Sequence, residues 1–199
     1  MNKANLCVIV IITIALTSCK SSQTSKTESK ETTQSLALGY WNADDSRLIA
    51  EKLVTKMLSD RWRTEYMHVH KNMRPILIMG LTSNFSLEQF DSKLFTKDIE
   101  KSIIKGDLVR FVQSANKKEF LLNDLANENN KDTIETITKW AARMGANFVV
   151  SATINSTQEL KRKEKIIQYK IILELLNCET KQLVWLDEQK VSKRIILNQ

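Results

Sequence analysis

Apolar residues recur at helical spacing in four parts of the chain, and each part predicts an amphipathic helix. Asn42 and Asp45 can cap the first helix, a Ser-Leu-Glu-Gln sequence from Ser86 has the form of a capping box for the second, and Gly106 ends the second. The predicted helices cover residues 44–62, 86–106, 116–127 and 132–145. Their inward-facing residues are Ile49, Ala50, Leu53, Val54, Met57, Leu58 and Trp62, then Phe90, Leu94, Phe95, Ile99 and Ile103, and last Ile134, Ile137, Ala141 and Met144.

Five segments between and after these helices predict strands. The predicted strands are residues 76–79, 108–112, 148–154, 167–175 and 183–191. The first and third are apolar on both sides, as buried strands are, whereas the fourth alternates apolar and polar residues. A charged loop is predicted at residues 159–165, and a turn at residues 177–182 joins the last two strands as an antiparallel hairpin. This order predicts a mixed sheet flanked by helices, a fold of α/β or α+β type.

The N-terminal sequence MNKANLCVIVIITIALTSC has the pattern of a bacterial lipoprotein signal. Lys3 provides the positive start, and the apolar run of residues 6–16 is shorter than the roughly 20 residues that span a bilayer. The following Leu-Thr-Ser-Cys matches a lipobox that ends at Cys19. We expect cleavage before Cys19 and lipid attachment to its thiol; the alternatives are an ordinary secretory signal or a retained membrane anchor. Lys20, where Asp retains many lipoproteins in the inner membrane, favours the outer membrane.

Residues 20–35, KSSQTSKTESKETTQS, contain no aliphatic or aromatic side chain and predict a disordered tether. The ends of such a tether lie roughly 20–25 Å apart on average and about 55 Å apart at most. The predicted organisation is a signal peptide (residues 1–18), a lipidated cysteine with its tether (residues 19–35) and one domain (residues 36–199).

The chain is basic, with 30 Lys and Arg against 23 Asp and Glu. Loss of the signal removes Lys3 and no acid. A basic protein can favour anionic lipid, peptidoglycan or nucleic acid, but the predicted export excludes nucleic acid as a partner.

Few residues suit nucleophilic catalysis. Cys7 leaves with the signal and Cys19 carries lipid, so Cys178 is alone and no internal disulfide is expected. Cys178 with His68 or His70 is the available thiol and imidazole set, but no glycine-rich elbow or oxyanion loop accompanies it. We place Cys178 in the hairpin turn and predict that it is structural.

Metal binding and acid–base catalysis have equally little support. His68 and His70 are spaced to lie on one side of an extended segment before a strand, without an evident third ligand. Glu88 and Asp91 are explained as first-turn acids that the helix dipole favours. The sequence therefore predicts no enzyme activity, no catalytic residue, no metal site and no cofactor.

Aromatic and basic residues offer two possible contact surfaces. Tyr40, Trp41 and Trp62 could anchor a partner, although we favour a role in fixing the first helix to the sheet. Residues 161–165 could contact an acidic protein or lipid headgroups, although a solvated loop explains them.

Several short motifs, in this order and spacing, resemble the LpoB family of outer-membrane lipoproteins over about residues 39–193. The motifs are Gly39-Tyr40-Trp41-Asn42, Asp45-Ser46-Arg47-Leu48, Trp62, Arg74-Pro75-Ile76, Asn84, Gly145-Ala146-Asn147 and Val184-Trp185. The resemblance implies a domain similar to the N-terminal domain of TolB, without catalytic machinery. It further implies a monomeric regulator that binds and activates a bifunctional, class A penicillin-binding protein. It identifies no interface residue, and the tether here is shorter than is usual in the family.

A pore subunit is the alternative function, because CsgG, the lipoprotein of the curli export pore, has a related fold. Such a subunit must donate pairs of strands of about 9–11 residues that cross the outer membrane. The sequence predicts a single late hairpin, which the sheet itself requires.

Overall fold

A mixed sheet of six strands lies at the centre of the described part of the chain. The structure is a computed structural model that describes residues 37–88, 90–113 and 133–197. The strands are β1 (Ala37–Leu38), β2 (Ile76–Phe85), β3 (Arg110–Val112), β4 (Phe148–Lys161), β5 (Glu164–Asn177) and β6 (Leu183–Ile196). The helices are α1 (Ala43–Ser59), α2 (Arg61–Val69), α3 (Ser92–Gly106) and α4 (Thr133–Arg143). None of the helices among these residues is long and apolar enough to cross a bilayer.

The strand order across the sheet is β1-β6-β5-β4-β2-β3. β2 pairs in parallel with β3 and β4, and β1 pairs in parallel with β6. β4, β5 and β6 form two successive antiparallel hairpins. Leu77 and Met79 of β2 belong to a core shared with α1, α2 and α3, whereas Ile78 belongs to a second core shared with α4. Helices therefore cover both faces, and the predicted mixed α+β fold is confirmed.

The larger core contains the alternating residues of β5 and both apolar rows of α1. All five alternating residues of β5 are buried, as predicted: Ile167, Tyr169, Ile171, Leu173 and Leu175. At the margin of this core, buried polar groups are paired, since Lys193 Nζ lies 2.6 Å from Asp45 Oδ2 and the Ser46 hydroxyl donates to Asp98 Oδ2 over 2.6 Å. These contacts join α1 to β6 and to α3.

The first predicted helix is in fact two helices. The predicted cap is confirmed, because the Asn42 side chain accepts from the backbone N–H of Asp45 and the Asp45 carboxylate accepts from that of Asn42. α1 then ends at Ser59, where Asp60 takes extended dihedral angles, and α2 begins at Arg61. The prediction of one helix over residues 44–62 is therefore wrong at its end.

Three residues that the sequence singled out lie in α2 or at its end, and not where they were predicted. Trp62 is buried as predicted, but it lies in α2, where its indole N–H donates to the Met57 carbonyl over 2.7 Å. His68 lies inside α2, and His70 is its C-cap. The extended segment predicted for the two histidines is therefore wrong, and their side chains leave a helix in different directions.

The second predicted helix starts later than expected. α3 begins at Ser92, and the carboxylate of Asp91 caps it by accepting from the N–H groups of Lys93 and Leu94. The Ser86 hydroxyl is instead hydrogen-bonded within a turn, so the capping box predicted there is wrong. Leu94, predicted to face inward, is 37% exposed.

A smaller core lies under α4. Trp140 is buried together with Ile137 and Ala141, and the three pack against Ile78 and Val149 of the sheet. Ile134 and Met144, which were predicted to face inward, are exposed, so the apolar face of this helix is rotated from the predicted row toward Trp140. The predicted cap at residue 132 and the helix predicted at 116–127 lie outside the described residues.

The predicted charged loop at residues 159–165 is in fact the end of a long hairpin. β4 continues to Lys161 and pairs with β5 from Glu164, so the turn is reduced to Arg162 and Lys163. Arg162 has a φ of 42°, a conformation that normally favours Gly or Asn. Residues 157–161 are exposed on both faces of the hairpin, so no alternation of apolar and polar residues marks a strand there.

Candidate functional site

The one thiol and one of the two imidazoles that the sequence offered for catalysis do meet in the structure. His70 and Cys178 line a cleft of about 420 Å³ at the end of the sheet where β5 leads into its turn. Tyr66, Asn147 and Glu179 line the same cleft. His68 is not among the lining residues and is exposed on α2.

The histidine in this cleft is held by a neighbouring aromatic residue. The rings of Tyr66 and His70 stack at 3.9 Å between centroids with an interplanar angle of 12°. His70 Nδ1 also lies 2.8 Å from the backbone carbonyl of Tyr66. Burial and the nearby Glu179 carboxylate raise the pKa of the Tyr66 hydroxyl. Tyr66 was not among the predicted candidates, although its i, i+4 spacing to His70 would place both on one side of a helix.

The cysteine in this cleft is a poor nucleophile. Burial raises the pKa of the Cys178 thiol to about 12. Since the thiolate is the reactive form, Cys178 is protonated and unreactive at neutral pH. Within the described ranges, no three His, Cys, Asp or Glu residues are grouped as metal ligands. The cleft thus brings candidate residues together without giving them the chemistry of an active site.

Changing these residues should leave function intact. We expect Cys178→Ser, and separately His68→Ala with His70→Ala, to have the same cellular activity as the unchanged chain. In residues 20–199, where Cys178 is the sole thiol, alkylation at pH 8 should be slower than that of an unfolded control peptide, because burial favours the neutral thiol. Loss of function in a variant whose melting temperature is unchanged would reopen the catalytic or metal hypothesis.

The two acidic residues weighed for acid–base catalysis have structural partners. Glu88 Oε1 accepts from Lys165 Nζ over 2.8 Å, and both side chains are largely buried. Asp91 caps α3. Both residues precede the helix, so their predicted place in its first turn is wrong.

Two of the three aromatic residues near the first helix belong to the core, as we favoured. Trp41 packs against Phe90 and Tyr169, with ring centroids 4.8 and 5.3 Å away. Trp62 packs against Phe148 at 5.0 Å. Tyr40 differs, because its ring is largely exposed and lies 6.0 Å from Lys165 Nζ.

The face of β5 and β6 that points away from the larger core is the main polar surface of the sheet. Register places these side chains on that face: Ile166, Gln168, Lys170, Ile172, Glu174, Leu186, Glu188, Lys190, Ser192 and Arg194. Glu188 lies 3.9 Å from Lys170 and 3.3 Å from Lys190, so neighbouring charges partly neutralise each other. The groups on this face can form ion pairs and hydrogen bonds.

The match to a family model shows which protein family this chain belongs to. The model described as peptidoglycan-synthase activator LpoB matches residues 45–191, which run from α1 into β6. The chain belongs to the LpoB family. Gly39 and Gly145, both part of the motifs that resemble this family, have φ values of 96° and 76°, which few residues other than glycine adopt without strain.

Solved structures show that the fold is shared with members of this family. The LpoB C-terminal domain from Escherichia coli is 16% identical with a TM-score of 0.51, over 75% of this chain and 99% of that chain. The LpoB C-terminal domain from Salmonella enterica is 14% identical with a TM-score of 0.50, over 74% and 98%. At these identities the likeness shows the fold alone. No curated protein sequence matches this chain.

Membership of the LpoB family confirms the resemblance seen in the sequence. It supports a regulator of peptidoglycan synthesis, and hence of the cell wall, rather than an enzyme. The pore alternative is not supported: although the structure has two late hairpins rather than the one predicted, all their strands are paired within the single sheet.

Proposed function

We propose that this chain is a lipid-anchored regulator that binds a class A penicillin-binding protein and raises its synthesis of peptidoglycan. The observation that carries the proposal is the family match, which spans residues 45–191 and includes every helix and strand described between α1 and the middle of β6. The partner is the bifunctional synthase because activation in this family acts on glycan polymerisation and, in consequence, on peptide cross-linking.

The described side chains are consistent with regulation by binding. Cys178 is protonated beside His70, and Glu88 and Asp91 are committed to Lys165 and to the start of α3. A protein without a reactive group can still accelerate a partner by favouring its active conformation. In this proposal the folded domain, residues 36–199, acts as a monomer and recognises the synthase.

The anchoring part of the proposal rests on sequence. Cys19 ends a lipobox, and Lys20 follows it. With two or three acyl chains on Cys19, dissociation from the bilayer becomes negligible, since each buried methylene contributes about 0.8 kcal/mol. The domain is then held on the periplasmic side of the outer membrane by residues 20–35.

Purified components test the proposal. Residues 20–199, which include every described element, should bind a class A synthase of the same bacterium and increase its rate of glycan polymerisation from the lipid-linked precursor. The same chain, thermally unfolded, is the control. Affinity capture from detergent-solubilised envelope should recover that synthase. Recovery of other envelope proteins only, with no rate increase for any class A synthase of the organism, would exclude the proposal.

A further inference from the structure

The end of the sheet opposite the cleft exposes apolar side chains among basic ones. We define the hairpin tip as residues 160–165 together with Ile196 and Leu197, which register places beside them, since Ile196 pairs with Glu164 and the Leu197 N–H donates to the Lys163 carbonyl over 2.7 Å. Leu160, which pairs with Lys165, is 71% exposed on one face of the sheet, and Ile196, which pairs with Glu164, is 59% exposed on the other face. The tip therefore presents an exposed aliphatic side chain on each face, so a surface that contacts both must approach the tip end-on.

The hairpin tip carries an excess of positive charge. The two acidic residues at its base are paired, Glu159 with Lys161 at 3.2 Å and Glu164 with Arg194 at 3.7 Å. Within the described part of the chain, Arg162 and Lys163 have no ion-pair partner. Arg162 also occupies a left-handed turn position that Gly or Asn would fill with less strain, so the turn carries a cation at a conformational cost.

This combination fits one kind of partner: we propose that the hairpin tip lies against an anionic lipid bilayer. Leucine and isoleucine side chains can enter the boundary between headgroups and acyl chains, while Arg and Lys stems lie along it and place their charges among lipid phosphates. Tyr40, exposed beside Lys165, adds an amphipathic ring of the kind that is enriched at membrane surfaces.

The position of the predicted tether is compatible with this orientation. β1 pairs Ala37 with Lys193, and Ile196 lies three residues further along β6. At about 3.3 Å per residue, the tether would therefore join the domain about 10 Å, measured along β6, from Ile196 at the edge of the hairpin tip. If residues 20–35 are the predicted flexible tether, its ends would lie roughly 20–25 Å apart, and a domain anchored through Cys19 could rest its tip on the same bilayer. This step relies on the proposed anchoring, but direct binding of the tip to lipid does not.

Unlipidated protein and matched variants test the inference. Residues 20–199 should co-sediment with vesicles of phosphatidylglycerol mixed with phosphatidylcholine, bind pure phosphatidylcholine vesicles much less, and dissociate as salt is raised. Arg162→Asn keeps a residue suited to the turn and removes one charge, which should weaken binding roughly five-fold. Leu160→Gln should weaken it about ten-fold.

The opposite end of the sheet offers matched control substitutions. Lys181 also has a positive φ of 58° in a hairpin turn, and Leu183 is 51% exposed. Lys181→Asn and Leu183→Gln should bind vesicles as the unchanged chain does. Equal loss with Lys181→Asn would mean that net charge alone attracts the vesicles and would overturn the inference, as would the absence of binding to anionic vesicles.

A second readout separates this surface from the site that the synthase recognises. Stimulation of the synthase in vesicle-free solution should be unchanged by Arg162→Asn and Leu160→Gln. If either variant loses stimulation while it remains folded, the hairpin tip is a protein-binding surface and the lipid inference is wrong. If no chain stimulates any synthase but vesicle binding still depends on these two residues, the proposed function fails and the lipid inference stands.

Discussion

Ile171→Ala should lower the free energy of unfolding by about 2–5 kcal/mol, because it removes a fully buried side chain from the middle of β5 and leaves a cavity. Trp140→Ala should cost a similar amount, because the indole fills the small core under α4. Chemical denaturation of residues 20–199 measures both changes. A loss of this size is a large fraction of the roughly 5–15 kcal/mol by which ordinary domains are stable.

Neighbouring residues provide controls for both substitutions. Ile172 is only partly buried on the opposite face of the same strand, and Ile134 is exposed on the same helix as Trp140. Ile172→Ala should cost clearly less than Ile171→Ala, and Ile134→Ala should cost little. A loss below about 1 kcal/mol for Ile171→Ala or Trp140→Ala would show that the core is not packed as described.

Cys19→Ala should abolish stimulation of wall synthesis in cells while the folded domain retains its activity in solution. Without the thiol there is no lipid attachment, so the chain is either released or left uncleaved at the inner membrane. Membrane fractionation and mass spectrometry of the N-terminal peptide follow the anchor, and incorporation of labelled wall precursor follows function. Cys7→Ala, which changes the other cysteine of the signal, should behave as the unchanged chain does.

Shortening the tether should impair function, whereas lengthening it should not. Lengthening residues 20–35 should be tolerated, because doubling the length of a flexible segment costs only about 0.6 kcal/mol in closure entropy. Deleting most of residues 22–34 should abolish function if the domain must reach a synthase across the periplasm. Continued wall stimulation by the deleted chain would mean that the synthase is met close to the membrane that holds Cys19.

Local sequence patterns predicted the helices and strands whose buried residues follow a regular spacing. The rows of α1 and the alternation in β5 were sufficient, because each periodicity reports one buried face. α2 was missed for the converse reason, since Trp62 is its one buried residue and the helix shows no apolar stripe. The start of α3 was misplaced because Ser86 and Asp91 are both capable caps, and only the burial of Phe90 before the helix distinguishes them.

The hairpin tip and the cleft both depend on tertiary structure. The outer part of the β4–β5 hairpin is exposed on both faces, so its hydrogen-bonded pairing leaves no hydrophobic pattern in the sequence. The cleft joins residues of α2 to the turn after β5, which are far apart in the chain. No local rule places His70 beside Cys178, although the sequence offered the two together as a possible thiol and imidazole set.

The short strand β1 would give the proposed anchor a defined mechanical connection to the fold. A pull on the tether from the membrane acts first on two residue pairs, Ala37 with Lys193 and Leu38 with Arg194, which can detach at low force. Beyond them, the ion pair between Lys193 and Asp45 ties β6 to the start of α1 and resists further unravelling. Tension between the membrane and a bound synthase would thus release a few residues of extra reach and leave the core intact.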